Sequence, residues 1–294
     1  MTSTLAAPER PHDRLLTPHP LRRFLAVLGK YASLIVFSML LLLPLVVIVF
    51  ASFKTAQEYA TTSPIAPPQN WLNFENFATA WVGGDMLRGF VNTGLVLTLS
   101  IVVTILIGTM AAYALDRFEF RAKKLVFALF LIATLVPGVT TQVATYQVIN
   151  GFGLVNTYWA AVLLFSGTDI VSIYIFVQFM QSIPKSLDEA AMLEGTSRFG
   201  IYWRIILPLL QPAIVTVIII KGIAIYNEFY IPLLYMPTPE LNMVSTSLFR
   251  FIGPFSSSQQ IIAAGVIIVI IPTLVIFLSL QRFIYNGITR GATK

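Results

Sequence analysis

Six long apolar runs, each close to the length of a bilayer crossing, constrain this chain more than any other feature. They are Tyr31 to Phe50, Phe90 to Leu115, Leu125 to Val143, Trp159 to Met180, Leu209 to Tyr226 and Ile261 to Leu280. About 20 residues of helix are needed to cross the hydrocarbon core. A backbone N–H or C=O in lipid finds no water, so each run must satisfy its own polar groups as a helix. Composition agrees: 56% of the 294 residues are hydrophobic and 11% charged, against roughly a quarter charged in a soluble domain. The mean hydropathy is +0.80, and a soluble fold of this size would leave large apolar patches exposed. The expected fold class is an all-α membrane protein with six transmembrane helices in the lipid bilayer.

Breakers inside the runs, Pro137 with Gly138, Gly222 and Pro272, predict kinks repaired by neighbouring helices. Gly108 and Ala112, one turn apart, could form a close packing face, although ordinary composition explains the pair equally well. Tyr31 to Phe50 is longer than a signal-peptide core of roughly 7 to 15 residues and reads as a retained anchor. Residues 1–30 hold Pro8, Pro11, Pro18, Pro20 and several basic residues, a composition expected to form a disordered tail. The remainder, 31–294, reads as one transmembrane domain. Between the first two runs, Pro64, Pro67, Pro68, Trp71 and Trp81 suit an interfacial loop with aromatic anchors.

Lysine and arginine alternate in density from one connection to the next. The N-terminal tail holds Arg10, Arg14, Arg22, Arg23 and Lys30, and the second connection holds Arg117, Arg121, Lys123 and Lys124. The fourth holds Lys185, Arg198 and Arg204, and the C-terminus Arg282, Arg290 and Lys294. The connections between them carry only Lys54 and Arg88, none, and Arg250. The positive-inside rule then puts both termini in the cytoplasm, which an even number of crossings allows. This also accounts for the net charge of +6 without a nucleic acid partner.

Several chemistries are excluded. There is no cysteine, and His12 and His19 both lie in the N-terminal tail, so disulfides, thiolate metal sites and histidine-based catalysis in the membrane are absent. No G-x-x-x-x-G-K-[ST] phosphate loop occurs, so any ATP must be bound by another chain.

The fourth connection is the most informative. It reads Ile183-Pro184-Lys185-Ser186-Leu187-Asp188-Glu189-Ala190-Ala191-Met192-Leu193-Glu194-Gly195, then Thr196 through Pro208. Ser186 followed three residues later by Glu189 predicts a capping box, and Asp188 suits the positive end of the helix dipole. Gly195 suits the helix C-terminus. Ala190 and Ala191 leave the short helix thin enough for another protein to approach. The next helix can start at Thr196 or Ser197, and Pro208 interrupts it.

This segment resembles the EAA motif of binding-protein-dependent ABC importer permeases, which is E-A-A, three residues, G, nine residues, then I-x-L-P. Glu189, Ala190, Ala191, Gly195, Ile205, Leu207 and Pro208 fall at the matching positions. The resemblance implies a type I ABC importer permease fold in a bacterial cell membrane, in which the short helix with Ser186 docks into a cleft of a cytoplasmic ATPase. Tyr226-Asn227-Glu228-Phe229 with Pro232-Leu233-Leu234 resembles a W-N-[DE]-[FY] and P-L-L stretch of the carbohydrate-importing branch, with Tyr226 in place of the usual Trp. Gln281-Arg282-Phe283 and Gly287 through Gly291 to Lys294 resemble the ending of its maltose-type subunit with a short cytoplasmic tail at 282–294. The likeness covers roughly Trp81 to Lys294, with the family core at about 85–281 and the coupling loop at 183–208. Phe255 to Gln260 lacks the Trp that many relatives carry before the last span.

The partners implied by the resemblance are a second permease subunit, two ATPase subunits that hold ATP and magnesium, and an external sugar-binding protein. This chain would bind no cofactor and carry no catalytic residue. Gly287, Gly291 and Lys294 would contact the ATPase. In the maltose-type pair the sugar is held mainly by the other permease, and the family also includes glycerol-phosphate and polyol carriers.

Intramembrane charges are costly and often mark a water-lined path. Lys221 and Glu228, two turns apart, predict one polar face that with Tyr226 and Asn227 could wall a translocation path. Equally, Lys221 could snorkel or pair with another chain and Glu228 could sit at the interface with water. Asp169, after Ser166, Gly167 and Thr168, suits a helix break or subunit interface, with a proton relay as the alternative. Asn150, Asn156 and Tyr158 read as solvated outer-loop residues that could instead face a binding protein. An ion-coupled secondary transporter would rely on Asp169, Lys221 and Glu228, and an intramembrane enzyme would have only carboxylates to use.

Overall fold

The computed structural model describes the backbone of residues 20–167, 169–253 and 258–292. Among these residues the chain is helical, with no strand. Helix α1 (Pro20–Phe53) begins on a proline, whose missing N–H costs nothing in the first turn. Residues 20–30, expected in a disordered tail, therefore continue the first span as helix. After it come α2 (Ala56–Thr61) and α3 (Glu75–Gly83), in a compact loop. Lys54 in that loop is 1% exposed and donates to Thr62 Oγ1 and the Ser63 carbonyl at 3.0 and 2.9 Å. Trp71 packs its ring on Phe50 and Phe53, so part of the first connection is a folded cap.

Helix α4 (Met86–Arg117) is the central element, packed against α7 (Tyr158–Gly167), α8 (Ile170–Gln181) and α12 (Gln211–Asn227). Gly108 lets α8 approach closely: a Cβ there would lie 2.9 Å from the buried Phe176 ring. Ala112, one turn on, is fully buried. The small-residue face is therefore a real helix contact.

The third run departs from expectation. Leu125 to Val143 is not one helix: α5 (Lys123–Leu135) stops before Pro137 and Gly138, and α6 (Gln142–Gly151) restarts beyond them. Proline disfavours helical backbone in the residue before it, and Val136 is extended. The 13 residues of α5 rise only about 20 Å.

Two other apolar helix pairs are bent. Helices α7 and α8 meet at 46° and flank Asp169. The second bend follows the loop-closing helix α10 (Arg198–Ile201), a π-helical turn at Tyr202–Ile206 and the short α11 (Leu207–Leu209), which meet α12 at 68°. The π turn has a local cause. Pro208 has no N–H and its ring would crowd the Arg204 carbonyl, while Leu207 donates five residues back to Tyr202.

Three helical stretches, Val27–Phe53, Met86–Arg117 and Gln259–Ile276, are long and apolar enough to cross a membrane among the described residues, and five if each bent pair is one span. The last belongs to α14 (Gln259–Ala292), which carries Pro272 internally and packs on α1, α3 and α12.

One core cluster joins α4, α8, α12 and the π turn around Phe176, Met180, Tyr202 and Leu210, and also includes Ala191. A second surrounds Val96, Phe165, Ile225 and Met243. Its polar edge is held by Asn92, which donates to the Glu240 and Asn242 carbonyls at 2.9 and 2.8 Å and accepts from Tyr158 at 2.8 Å. Asn156 accepts from Thr238 N at 3.2 Å, and its own N–H donates to the Tyr235 carbonyl at 2.7 Å. Tyr158 is thus half-buried and engaged with Asn92, while Asn156 stays exposed at the surface and ties its loop to Tyr235 and Thr238.

Candidate functional site

Helix α9 (Ser186–Leu193) lies in the fourth connection, as the sequence leads one to expect, but it starts differently. The cap position is Lys185, whose side chain makes no capping bond, and Ser186 is already the first helical residue. The expected capping box is therefore not formed. Pro184 sets the turn one residue earlier: Leu187 donates to the Pro184 carbonyl and both Asp188 and Glu189 to that of Lys185. Asp188 does lie in the first turn, at the positive end of the helix dipole, and is buried there against the end of α4.

The C-terminal end follows the sequence closely. Gly195 has φ +83°, its N–H reaches the Met192 carbonyl at 3.0 Å, and the Thr196 N–H reaches that of Ala191 at 3.0 Å. These two bonds are the Schellman closure. Ser197 then caps α10 by accepting from the Gly200 N–H. The α9–α10 corner is stiff because both flanking termini are satisfied within a few residues.

The two faces of α9 differ sharply. Asp188 and Ala191, three residues apart, are buried. Glu189 and Ala190 are exposed, with Leu187, Met192 and Leu193 beside them, and Leu193 is 91% exposed. Farther along, Phe199 and Trp203 stack face to face and are also exposed. Ile205 and Leu207 pack partly against the core, and Pro208 carries the π turn into α12.

Beneath α9 sits a charged cluster that sequence reasoning did not assemble. Arg117, the last residue of α4, reaches Asp188 through Nε at 2.5 Å and Asp116 through Nη1 at 2.7 Å. Its Nη2 donates to the Ile183 carbonyl at 2.9 Å. Burial pushes the Asp188 carboxyl above the ordinary carboxylate range, against the opposing pull of the Arg117 guanidinium. In sequence Arg117 is one of several basic residues of the second connection, and nothing local names its partner.

The four candidate path residues separate. Helix α12 ends at Asn227, so Lys221 and Glu228 do not share a helical face. Glu228 accepts from the N–H groups of Tyr230 and Ile231, capping α13 (Tyr230–Tyr235). Lys221 pairs with Asp169 at 3.0 Å and donates to the Phe165 carbonyl at 2.5 Å. Asp169 caps α8 by accepting from Ser172 N at 3.3 Å. The two intramembrane charges therefore neutralise each other at the α7–α8 break.

Tyr226 and Asn227 instead line a cavity of about 620 Å³ between α4, α12 and α14, otherwise walled by residues such as Leu97, Ile219 and Val269. The Tyr226 hydroxyl donates to the Val269 carbonyl at 2.8 Å. At the far end, Gly287 and Gly291 lie within α14, while Lys294 and the first three residues of the Trp-less segment Phe255 to Gln260 fall outside the described residues. Among the described residues no group of His, Cys, Asp and Glu side chains is arranged to hold a metal ion.

Comparison with known proteins gives a consistent result. Residues 25–290 match the family described as binding-protein-dependent transport system inner membrane component. The "Probable ABC transporter permease protein YurM" of Bacillus subtilis (strain 168) is 32% identical over 85% of this chain and 83% of its own length. The melibiose/raffinose/stachyose import permease protein MelC of the same organism is 28% identical, covering 86% of this chain and 91% of MelC. Its galactooligosaccharides transport system permease protein GanQ is 29% identical over 95% of this chain and all of GanQ (100%). A crystal structure of a bacterial ABC transporter involved in the import of the acidic polysaccharide alginate superposes with a TM-score of 0.77 at 16% identity, covering 90% of this chain and 98% of that one.

Proposed function

The chain belongs to the family of binding-protein-dependent transport system inner membrane components, and from that premise we propose that it is the carbohydrate-conducting permease subunit of an ATP-driven importer. The observation that carries the mechanism is α9: a short helix closed at a positive-φ glycine, seated through one face and offering the other to a partner. Two of the relatives, MelC and GanQ, are named for melibiose/raffinose/stachyose import and galactooligosaccharides transport, which favours a sugar or oligosaccharide as cargo over a glycerol-phosphate or polyol.

In this reading α9 docks in the cleft of a cytoplasmic ATPase that supplies ATP and magnesium. Closure of the ATPase pair displaces α9, and the chain passes that motion to its spans, alternating access between the two sides. The spans are six, with both termini cytoplasmic. The broken α5–α6 pair makes the third crossing, since the apolar run continues through Pro137 and Gly138. The alternation of basic connections supports the orientation. A second permease subunit completes the path against the wall formed by Tyr226 and Asn227, where an aromatic face and an amide suit sugar rings and hydroxyls. An external binding protein delivers the cargo, and the C-terminal residues from Gly287 to Lys294 contact the ATPase.

Reconstitution tests this directly. The chain is placed in liposomes with its genomic neighbours (second permease, ATPase, binding protein), and uptake of labelled oligosaccharides is followed with ATP inside or outside. Uptake should require the ATPase, ATP on its side and the binding protein. Uptake that persists without the ATPase would instead identify an ion-coupled carrier using Asp169 and Lys221.

A further inference from the structure

Arg117 joins three things that are separate along the chain. It ends α4; it holds Asp188 in the first turn of α9; and it holds the Ile183 carbonyl just before Pro184, where α8 hands over to α9. With its side chain 5% exposed and Asp188 at 11%, the joint is largely buried, and both residues border a small cavity of about 110 Å³. We propose that Arg117 is a positioning residue that locks the docking helix to α4, so that displacement of α9 moves α4 together with α8 and α10. This rests on the docking reading above.

The need for such a lock follows from the size of α9. Eight residues cannot hold a helix or its orientation by propensity, because isolated helices shorter than about 12–15 residues are marginal in water. Its inward face offers only Ala191 as an apolar seat and Asp188 as a polar one. Without Arg117, a push on α9 would reach the spans through two backbone turns, the Pro184 elbow and the Gly195 corner, and the packing of the single small side chain of Ala191. With it, the push reaches the C-terminus of a 32-residue helix packed on α7, α8 and α12.

The chemistry also argues for register over stability. Asp188 Oδ1 is buried with no hydrogen-bond partner among the described residues, so the desolvation of this carboxylate is only partly offset. Buried pairs of that kind add little net stability but oppose misalignment strongly, because displacing one partner strands the other. The planar guanidinium suits the task, since one rigid fork donates to Asp116 and the Ile183 carbonyl while its Nε, which has no hydrogen-bond partner of its own among the described residues, is held in ion-pair contact with Asp188.

The test uses the reconstituted complex with Arg117→Met, Arg117→Lys and Asp188→Asn, measuring copurification of the ATPase, ATP hydrolysis, and sugar moved per ATP. Arg117→Met should assemble and hydrolyse ATP while sugar moved per ATP falls about tenfold, and Arg117→Lys should recover part of it. Asp188→Asn should fall in the same direction. The proposal is overturned if sugar per ATP is unchanged, or if hydrolysis and uptake fall in equal proportion, as a purely structural defect would cause. If Arg117→Met does not assemble, the two milder variants decide by the same criterion, and failure of all three to assemble also overturns it. If the parent chain itself does not bind an ATPase, the docking reading fails. A parent that assembles and transports alongside a fully coupled Arg117→Met refutes the lock alone.

Discussion

Gly195 offers a sharp test of how α9 is terminated, because two effects of substitution can be separated there. Its φ of +83° lies in the left-handed region, and a Cβ added to it would meet nothing within 4 Å. Within this chain the cost of a side chain is therefore conformational and not steric. An L-residue in that region costs roughly 1–2 kcal/mol, and an alanine recovers about 0.4–1 kcal/mol by restricting the unfolded chain. Gly195→Ala should then weaken the corner by up to about 1.6 kcal/mol net, centrally about 0.8 kcal/mol. If the loss falls on the docked state, affinity for the ATPase drops by about two- to tenfold. Asparagine enters this region readily and β-branched residues do not. The expected order is Gly195→Asn near the parent, Gly195→Ala intermediate and Gly195→Val worst. The assay is ATPase copurification over a concentration series, with helix content of the isolated permease in detergent as the control. An alanine variant indistinguishable from the parent would refute the backbone argument. An asparagine variant as damaging as valine would show that the partner's surface fills the space beside Gly195.

Four further outcomes follow from the packing and charges. Gly108→Val should destabilise by about 1–3 kcal/mol through contact with the buried Phe176 ring, whereas Gly94→Ala on the same helix, with open space around it, should be neutral or stabilising; detergent unfolding curves decide. Lys221→Met strands Asp169 and should cost about 3–5 kcal/mol, while the double variant with Asp169→Asn should cost less than that single change. Asn92→Leu leaves two backbone carbonyls and the Tyr158 hydroxyl without their partner, for a loss of about 2–4 kcal/mol readable by the same unfolding curves. Asp188 sets a pH dependence whose sign follows from its raised value. The folded chain holds the proton more tightly than the unfolded one, so this group's contribution is full below the ordinary carboxylate range and declines as pH rises through the folded value. Asp188→Asn should therefore gain stability relative to the parent between acid and neutral pH, and paired melts at the two ends of that window test it.

Much of this protein is legible without coordinates because its strongest constraints are local. Lipid offers no backbone partners, so an apolar run near 20 residues declares a helix whatever surrounds it. The Gly195 corner is equally local, since a positive φ and two bonds within five residues determine it. The E-A-A, G and I-x-L-P spacing needs no fold to be recognised. Even the failures at Ser186 and at Leu125 to Val143 trace to nearby prolines, Pro184 and Pro137, whose restricted backbone overrides a capping pattern or an apolar run.

What tertiary structure alone decided is how the charges are shared. Asp169 and Lys221 read as separate intramembrane charges until the α7–α8 break and α12 bring them to 3.0 Å. Glu228 left the expected polar face because α12 stops at Asn227 and the carboxylate caps the next helix. Arg117 was indistinguishable from any cytoplasmic basic residue until α4 and α9 met around it. The physical reason is that a charge removed from water must find a partner wherever the fold supplies one. That choice depends on which helices touch, and no local pattern in sequence encodes it.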